Sequence, residues 1–277
     1  MKSWFITGIS RGFGLALAQA ALDRGDAVVG TVRSGAPDLV AGKGTLHVLE
    51  LDVADAAAIA PAVDKAFDLA GGRLDVIVNN AGYGLLGAFE GATDAEMARL
   101  FEIDVFGPVR IIRAALPKLR AQGSGHILNI TSIAGRAPGA GSALYAAAKH
   151  ALEGLTASLA QELAPTGIKL TAIAPGAFRT DFLSSHSIRK SEDGSDAYGE
   201  TVGKMMQAFQ TMDGKQLGDP ARAAEAMLQV VDAEDPPLHL LLGSDALRRS
   251  RQKLDVVIEE MDQWEPVTVG TDFPQGA

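Results

Sequence analysis

Short runs rich in β-branched residues alternate along this chain with longer Ala/Leu-rich segments, and the two kinds of segment have different hydrophobic periods. The short runs fall near 2–7, 26–32, 45–50, 74–79, 125–131, 168–174 and 238–242. Between them, near 13–24, 55–70, 94–120, 142–164 and 220–232, apolar residues recur at helical spacing. Most of these segments open at a Ser, Thr or Asp able to cap a helix. Strands alternating with helices predict an α/β fold: a Rossmann-type, doubly wound, parallel seven-stranded sheet with helices on both faces.

Residues 180–218 break this rhythm. The stretch is polar and Gly/Ser-rich at first, then apolar at Tyr198, Val202, Met205, Met206, Phe209 and Met212, the spacing of a short amphipathic helix. Such an excursion reads either as a lid over a site or as a surface helix filling core space. After the last strand, 246–262 reads as one more helix and the closing EPVTVGTDFPQGA as an irregular tail. One domain is expected: 1–245 with the excursion as its lid, and 246–277 as a terminal helix and tail of the same unit.

Composition supports this picture and removes several functions. A chain of 277 residues, 47% hydrophobic, can bury one sizeable core. It has no cysteine, so disulfides, thiolate metal sites and a cysteine nucleophile are excluded. MKSWFITG shows no signal-peptide apolar stretch and no run approaches a membrane span, so a cytoplasmic protein acting without a membrane is expected. A net charge of −9 argues against nucleic acid as a partner. The histidines at 47, 126, 150, 186 and 239 show no ligand spacing, and no metal is expected. The acidic pairs Glu234-Asp235 and Glu259-Glu260 and the basic run Arg248-Arg249-Ser250-Arg251 read as solvated surfaces.

Chemistry begins at the first turn. Gly8, Gly12 and Gly14 lie where a strand passes directly into a helix. There, missing side chains permit a tight turn, let backbone N–H groups approach a phosphate, and let helix and strand pack closely. The helix N-terminus adds free donors and a partial positive charge for a pyrophosphate. Gly8-Ile9-Ser10-Arg11-Gly12 also matches G-x-S-x-G, the nucleophile elbow of a serine hydrolase. That elbow needs strands and an oxyanion loop upstream, and only seven residues precede Gly8.

The second strand ends in Val32 and Arg33, where an NAD site would place an acid for the ribose 2′-hydroxyl. Arg33 and Arg11 can instead grip a 2′-phosphate, which predicts NADP(H); two solvated arginines are the competing reading. Further on, Tyr145 and Lys149 stand one helical turn apart, so the ammonium can lower the phenol's pKa toward use as an acid/base. Ser132 ends the preceding strand at the carboxyl edge, where its hydroxyl can hold a substrate oxygen.

In these pieces, TGISRGFG at 7–14, LDV at 51–53, NNAG at 79–82, Ser132, Tyr145 with Lys149, and PGAFRTDF at 175–182, the chain resembles the short-chain dehydrogenase/reductase family. The resemblance is to its single-domain branch and runs over residues 3–245. The whole chain, with GDPARAAEAM at 218–227, is similar to the hydroxysteroid-dehydrogenase-like group. It implies that Gly8, Ser10, Arg11, Gly12, Phe13, Gly14 and Arg33 contact an NADP cofactor. It also implies that Asp52 and Val53 meet its adenine, that Asn80, Ala81 and Gly82 run along it, and that Pro175, Gly176, Phe178 and Thr180 flank the nicotinamide. Asp52 by itself reads only as a strand-end or cap residue. Where the family has asparagine holding a relay water to the lysine, this chain has Asp104. An ionised Asp104, the favoured state, would partly cancel the Lys149 field at Tyr145, whereas a protonated one would imitate asparagine.

The expected activity is hydride transfer between NADP(H) and a carbonyl or secondary alcohol, as in a carbonyl reductase, with Tyr145 as acid/base, Lys149 tuning it and binding ribose, and Ser132 orienting the substrate. Tyr83, Leu85 and Leu86, with Met205, Met206 and Phe209 of the lid, predict a bulky apolar substrate. Asp104 keeps a non-catalytic NADPH sensor as the alternative. Pairing of at least two copies through 94–120 and 142–164 is expected from the family.

Overall fold

The computed structural model describes residues 1–183, 188–190 and 196–273. Seven strands form one parallel sheet: β1 (Ser3–Ile6), β2 (Ala27–Val32), β3 (Thr45–Glu50), β4 (Val76–Asn79), β6 (Gly125–Ile130), β7 (Ile168–Pro175) and β9 (His239–Leu242). Their spatial order is β3-β2-β1-β4-β6-β7-β9. All seven coincide with runs read from the sequence. Register is set in the middle, where Trp4 pairs with Val28 on one side and Val76 on the other.

Alternation along β1 sends consecutive side chains to opposite faces. Trp4 and Ile6 enter a core with Leu17 of α1 (Gly12–Asp23) and Met227 of α7 (Pro220–Asp232). Phe5 enters the other core, with Ile59 and Val63 of α2 (Ala56–Leu69), Ile111 and Leu119 of α4 (Gly107–Gln122), and Leu163 of α5 (Ala143–Leu163). Each such large side chain, fully buried, contributes roughly 2 kcal/mol. The fold is thus the doubly wound Rossmann-type sandwich that the alternation implied.

Caps follow the sequence in part. Asp55 and Asp219 accept from N–H groups at the starts of α2 and α7, and Thr93 with Glu96 forms a capping box on α3 (Asp94–Phe101). Neither α1 nor α5 has a side-chain cap. For α1 this leaves the donors at Gly12 and Phe13 for something other than the chain itself.

Three sequence expectations are corrected. The segment 94–120 is not one helix. One π-helical turn, Glu102–Phe106, separates α3 from α4, because the Gly107 N–H bonds the Glu102 carbonyl five residues back. At Gly107 a β-carbon would stand 3.1 Å from the Val53 carbonyl oxygen, so the turn brings the helix against the strand-end loop only at glycine. Second, the chain end is not irregular from Glu265: α8 runs Ser244–Val269 and includes Pro266. The proline lacks an N–H, but this part of the helix is exposed and water can serve the freed carbonyl. Third, a two-stranded parallel sheet joins β5 (Gly84–Leu86) to β8 (Ile188–Lys190), neither of which the pattern showed. The excursion also contains α6 (Lys204–Met212), the amphipathic helix expected there. His186 and most of the Ser-rich stretch lie outside the described residues. Among the described residues no helix is long and apolar enough to cross a membrane.

A buried carboxylate ties the N-terminus to this sheet. Asp26, 2% exposed, accepts from the Lys2 backbone N–H at 2.8 Å, the Trp4 indole at 3.0 Å and the Arg24 guanidinium. Burial alone would push its carboxyl up; the Lys2, Arg24 and Trp4 donors together hold it below the ordinary value. A folded pKa below the unfolded one means that the stabilisation is present above about pH 4 and is lost as pH falls through the lowered value. Asp26→Asn is therefore expected to cost about 1–3 kcal/mol at neutral pH. Urea unfolding should show the gap to the parent closing in acid, and a gap independent of pH would refute the account.

Candidate active site

The strand order reverses at β1 and β4, where the carboxyl ends of neighbouring strands send their chains to opposite faces and leave a crevice. A cleft of about 270 Å³ opens there. Gly8 and Gly12 have φ of +74° and +59°, the left-handed region that glycine tolerates. At Gly14 a β-carbon would lie 2.2 Å from the Gly8 carbonyl oxygen, so any side chain would push α1 off the turn. Thr7, not singled out from the sequence, secures this loop. Its hydroxyl accepts from the N–H groups of Asn80 and Ala81, each at 3.0 Å, and the Asn80 amide donates to the carbonyls of Thr7 (2.9 Å) and Gly8 (3.0 Å).

The cleft brings together nearly all the residues picked out in the sequence. Gly8, Ser10, Arg11, Gly12 and Phe13 line it, with Arg33, Asp52, Val53, Asn80, Ala81 and Gly82 along its floor and edge and Pro175, Gly176, Phe178 and Thr180 opposite. Ser132, Tyr145 and Lys149 line it as well. Gly14 and Asp104 are not on its wall: Gly14 packs against the loop, and Asp104 lies behind the wall, 1% exposed. Gly12 and Thr180 are neighbours across the cleft, and Phe13 meets Phe178 edge to face, with ring centroids 5.0 Å apart. Asp245, at the start of α8, accepts from the Ala177 N–H at 2.9 Å and occupies the space a Gly176 β-carbon would need. Only the fold reveals this support for the 175–180 loop. Arg99 of α3 and Ile103 of the π-helical turn also line the cleft, and nothing in their spacing marked them.

Tyr145 and Lys149 stand on α5, which polar bonds fasten to the sheet. Asn79 of β4 donates to Asn129 of β6 at 2.8 Å, and Asn129 donates to Thr156 of α5 at 2.8 Å, all buried. One turn nearer the site, Glu153 accepts from Thr131 at 2.5 Å and pairs with Arg136 and His239. Thus pinned, α5 presents Tyr145 and Lys149 to the cleft. The Lys149 ammonium is 5.6 Å from the Tyr145 ring centre, donates to the Ile130 carbonyl at 3.2 Å and lies 3.0 Å from Asp104 Oδ2. Ser132 draws the Tyr145 phenol pKa down, and its Oγ accepts from the Ala134 N–H at 3.1 Å. Asp104 Oδ1 accepts from the Tyr83 N–H at 3.1 Å, and Gly82 has no side chain to disturb the carboxylate behind it.

Electrostatics here depart from the simplest expectation. Burial pushes the Tyr145 phenol above its ordinary value; Lys149 draws it down, as expected, but Asp104 opposes Lys149. Burial likewise pushes Asp104 up, only partly offset by Lys149. Burial works against the Lys149 ammonium too, yet Asp104 and then Tyr145 hold it above its ordinary value. A lysine adjacent to tyrosine therefore does not by itself produce a low phenol pKa in this fold.

The apolar lid residues land elsewhere. Met205 packs on Gly139 and Val202 on Gly141, in the segment leading into α5, and Met205, Met206 and Phe209 are not among the residues lining the cleft. Leu85 packs behind Tyr145 in a small core with Leu100 and Ala148, and Leu86 is also buried. Tyr83 and Phe182 are the aromatic side chains on the wall beside Tyr145, whose ring lies 5.9 Å from that of Phe182.

Residues 2–191 match the short chain dehydrogenase family, and the chain belongs to it. It is 36% identical over 276 residues to "Oxidoreductase BOA17" of Botryotinia fuckeliana, covering 98% of this chain and 99% of the relative. It is 32% identical to "17-beta-hydroxysteroid dehydrogenase type 1" of Homo sapiens, over 90% of this chain and 80% of that one. Among solved structures, a short-chain dehydrogenase from Streptomyces avermitilis superposes with a TM-score of 0.88 at 42% identity, covering 98% and 100% of the two chains. "ElxO with NADP Bound" superposes at 0.73 with 27% identity, covering 89% and 99%. The protein is accordingly an oxidoreductase of this family, with a nicotinamide dinucleotide as cofactor. The glycine cradle, the uncapped start of α1 and the walls from Asp52 to Thr180 fit such a group.

Replacing Asp104 isolates its effect on the phenol. In Asp104→Asn the opposing charge is gone, so Tyr145 should titrate at lower pH. Tyrosinate absorbance, corrected with Tyr145→Phe, measures this. An unchanged titration would show Asp104 to be neutral or uncoupled from the phenol.

Proposed function

We propose that the protein is an NADP(H)-dependent short-chain dehydrogenase/reductase acting on the carbonyl or secondary alcohol of a bulky, apolar compound. The observation that carries this reading is the convergence of Ser132, Tyr145 and Lys149 on one wall of a glycine-cradled cleft. In reduction the Tyr145 hydroxyl donates the proton that the substrate oxygen gains, and in oxidation its oxygen accepts it. Ser132 holds that oxygen against Tyr145. Lys149, kept cationic by its contacts, restrains the phenol's rise in pKa and has a donor for the nicotinamide ribose. The cofactor supplies or accepts the hydride.

NADP rather than NAD is supported at the end of β2. Val32 is buried there, and Arg33 is exposed on the edge of the cleft with Arg11 also on its wall. A guanidinium pair suits a 2′-phosphate, whose charge an acid at this place would repel. The NADP bound by ElxO agrees with this reading. The apolar substrate is supported by Tyr83 and Phe182 beside Tyr145 and by the steroid enzyme among the relatives. The oxidoreductase relatives favour turnover over a non-catalytic sensor. Residues 1–277 form one unit in this reading, and the excursion after β7 reaches the cleft through Thr180, Asp181 and Phe182. Pairing of two copies is supported by an open apolar groove between α4 and α5, lined by Val109, Ile112, Leu116, Leu155 and Leu159. A cytoplasmic location goes with this reading.

Two variants test it by following NADPH absorbance with a panel of ketones. Tyr145→Phe should lower turnover at least about 10²-fold with NADPH binding intact; near-parental turnover would move the acid elsewhere. Arg33→Asp should shift kcat/KM toward NADH. A parent that already prefers NADH would refute the cofactor assignment, and a preference for small polar ketones would refute the substrate class.

A further inference from the structure

Arg99 stands half-buried on the cleft wall, near the end of α3. Two carboxylates lie within its reach along the helix, three residues to either side. Both are engaged elsewhere. Glu96 accepts from the Thr93 N–H at 2.8 Å and from the Thr93 hydroxyl at 2.9 Å, and Glu102 pairs with Arg110. Arg99 itself makes no ion pair among the described residues. A basic side chain in the last turn of a helix ordinarily serves the unpaired carbonyls there. That account fails for Arg99, because α3 passes without a break through the π-helical turn into α4, and the Ala98 and Arg99 carbonyls already accept from the Glu102 N–H.

Position along the helix ties Arg99 to one end of the cleft. One turn on, Ile103 packs with Leu51 and Val53, the neighbours of Asp52 after β3. A further turn sets Gly107 against the Val53 carbonyl. Arg99, Ile103 and Gly107 thus form a row that climbs from the end of β3 to the cleft wall. Leu100, the next residue, packs instead with Tyr145 and Ala148. The row of Arg99 therefore belongs to the Asp52 end of the cleft and not to the Tyr145 wall. Arg11 comes from the start of α1, on the opposite face of the sheet, so the cleft has a guanidinium on each side. A half-buried cation without a carboxylate has given up part of its hydration, and a bidentate phosphate oxygen pair suits its planar fork.

We propose that Arg99 is a further cofactor-binding residue, whose guanidinium holds a phosphate of the dinucleotide's adenosine half. This rests on the nicotinamide dinucleotide as cofactor and on Asp52 marking its adenosine end; it depends neither on the preference for NADP nor on the substrate class. The 5′-diphosphate and the 2′-phosphate offer a guanidinium the same chemistry, and fragments of the cofactor separate them.

Calorimetric titration with NADPH, 5′-ADP, adenosine 2′,5′-bisphosphate and nicotinamide mononucleotide tests this. Because the side chain holds no ion pair, Arg99→Gln should leave the thermal unfolding midpoint unchanged. It should weaken NADPH binding at least about tenfold, the loss expected for one charged hydrogen bond, while nicotinamide mononucleotide binds as it does to the parent. Arg99→Lys, which keeps the charge, should recover part of the loss. An equal loss for 5′-ADP and the bisphosphate assigns the contact to the phosphates at the 5′ position, and a loss confined to the bisphosphate assigns it to the 2′-phosphate. Parental affinity of Arg99→Gln for NADPH and both adenosine nucleotides would overturn the proposal. In that case a raised KM for the ketone alone would give Arg99 to the substrate instead. A parent that gains nothing from the 2′-phosphate would refute the NADP preference, while the 5′-ADP titration of Arg99→Gln would still decide the contact.

Discussion

The arrangement of the cleft depends on one buried ion pair. Lys149 and Asp104 take opposite charges out of water, and desolvation of this kind costs several kcal/mol per ion unless other groups complete the solvation. The Ile130 carbonyl completes it for the ammonium and the Tyr83 N–H for the carboxylate. Each of these contacts demands something of a different part of the chain. The π-helical turn places Asp104, glycine at 82 leaves it room, and the Asn79–Asn129–Thr156 relay and Glu153 hold α5 at the depth where Lys149 reaches it. Several of the polar bonds buried in the centre of this protein thus bear on the position of a single lysine.

The same pair acts on Tyr145. Lys149 faces the cleft on one side and Asp104 on the other, so its field on Tyr145 is divided between a neighbour that draws the phenol down and one that pushes it up. An asparagine at 104 would hold the lysine by dipoles alone. The aspartate exchanges part of the tuning of Tyr145 for a firmer hold on the ammonium, whose charge is then secure over a wide pH range. The opposite wall is built by a comparable division of labour. Asp245 and the Phe13–Phe178 contact carry no chemistry of their own, yet they set the distance between the glycine turn and the 175–180 loop.

At the far end of the molecule a different constraint operates. The first turns of α8 complete the core beside β9, and its later turns stand exposed to solvent. The helix continues through Pro266, where its solvent side is open to water and the freed carbonyl can be hydrated.

The fold was legible in local periodicity. All seven sheet strands and the principal helices follow from runs whose burial on two faces, or on one stripe, is recorded in their composition. The glycine turn, Tyr145, Lys149 and Ser132 were legible for a similar reason: short-range spacing alone puts them at strand ends or on one helical face. What the sequence could not determine lies in contacts between distant segments. Thr7 acts through Asn80, Asp245 through Ala177, and the net effect of Lys149 on Tyr145 depends on burial and on Asp104, none of which one-dimensional spacing records. The π-helical turn at 102–106 escaped for the same physical reason, since one extra residue in a helical turn is stabilised by what packs around it. Likewise Met205 and Phe209 showed by their period that they would pack, but only the tertiary structure decided against which surface.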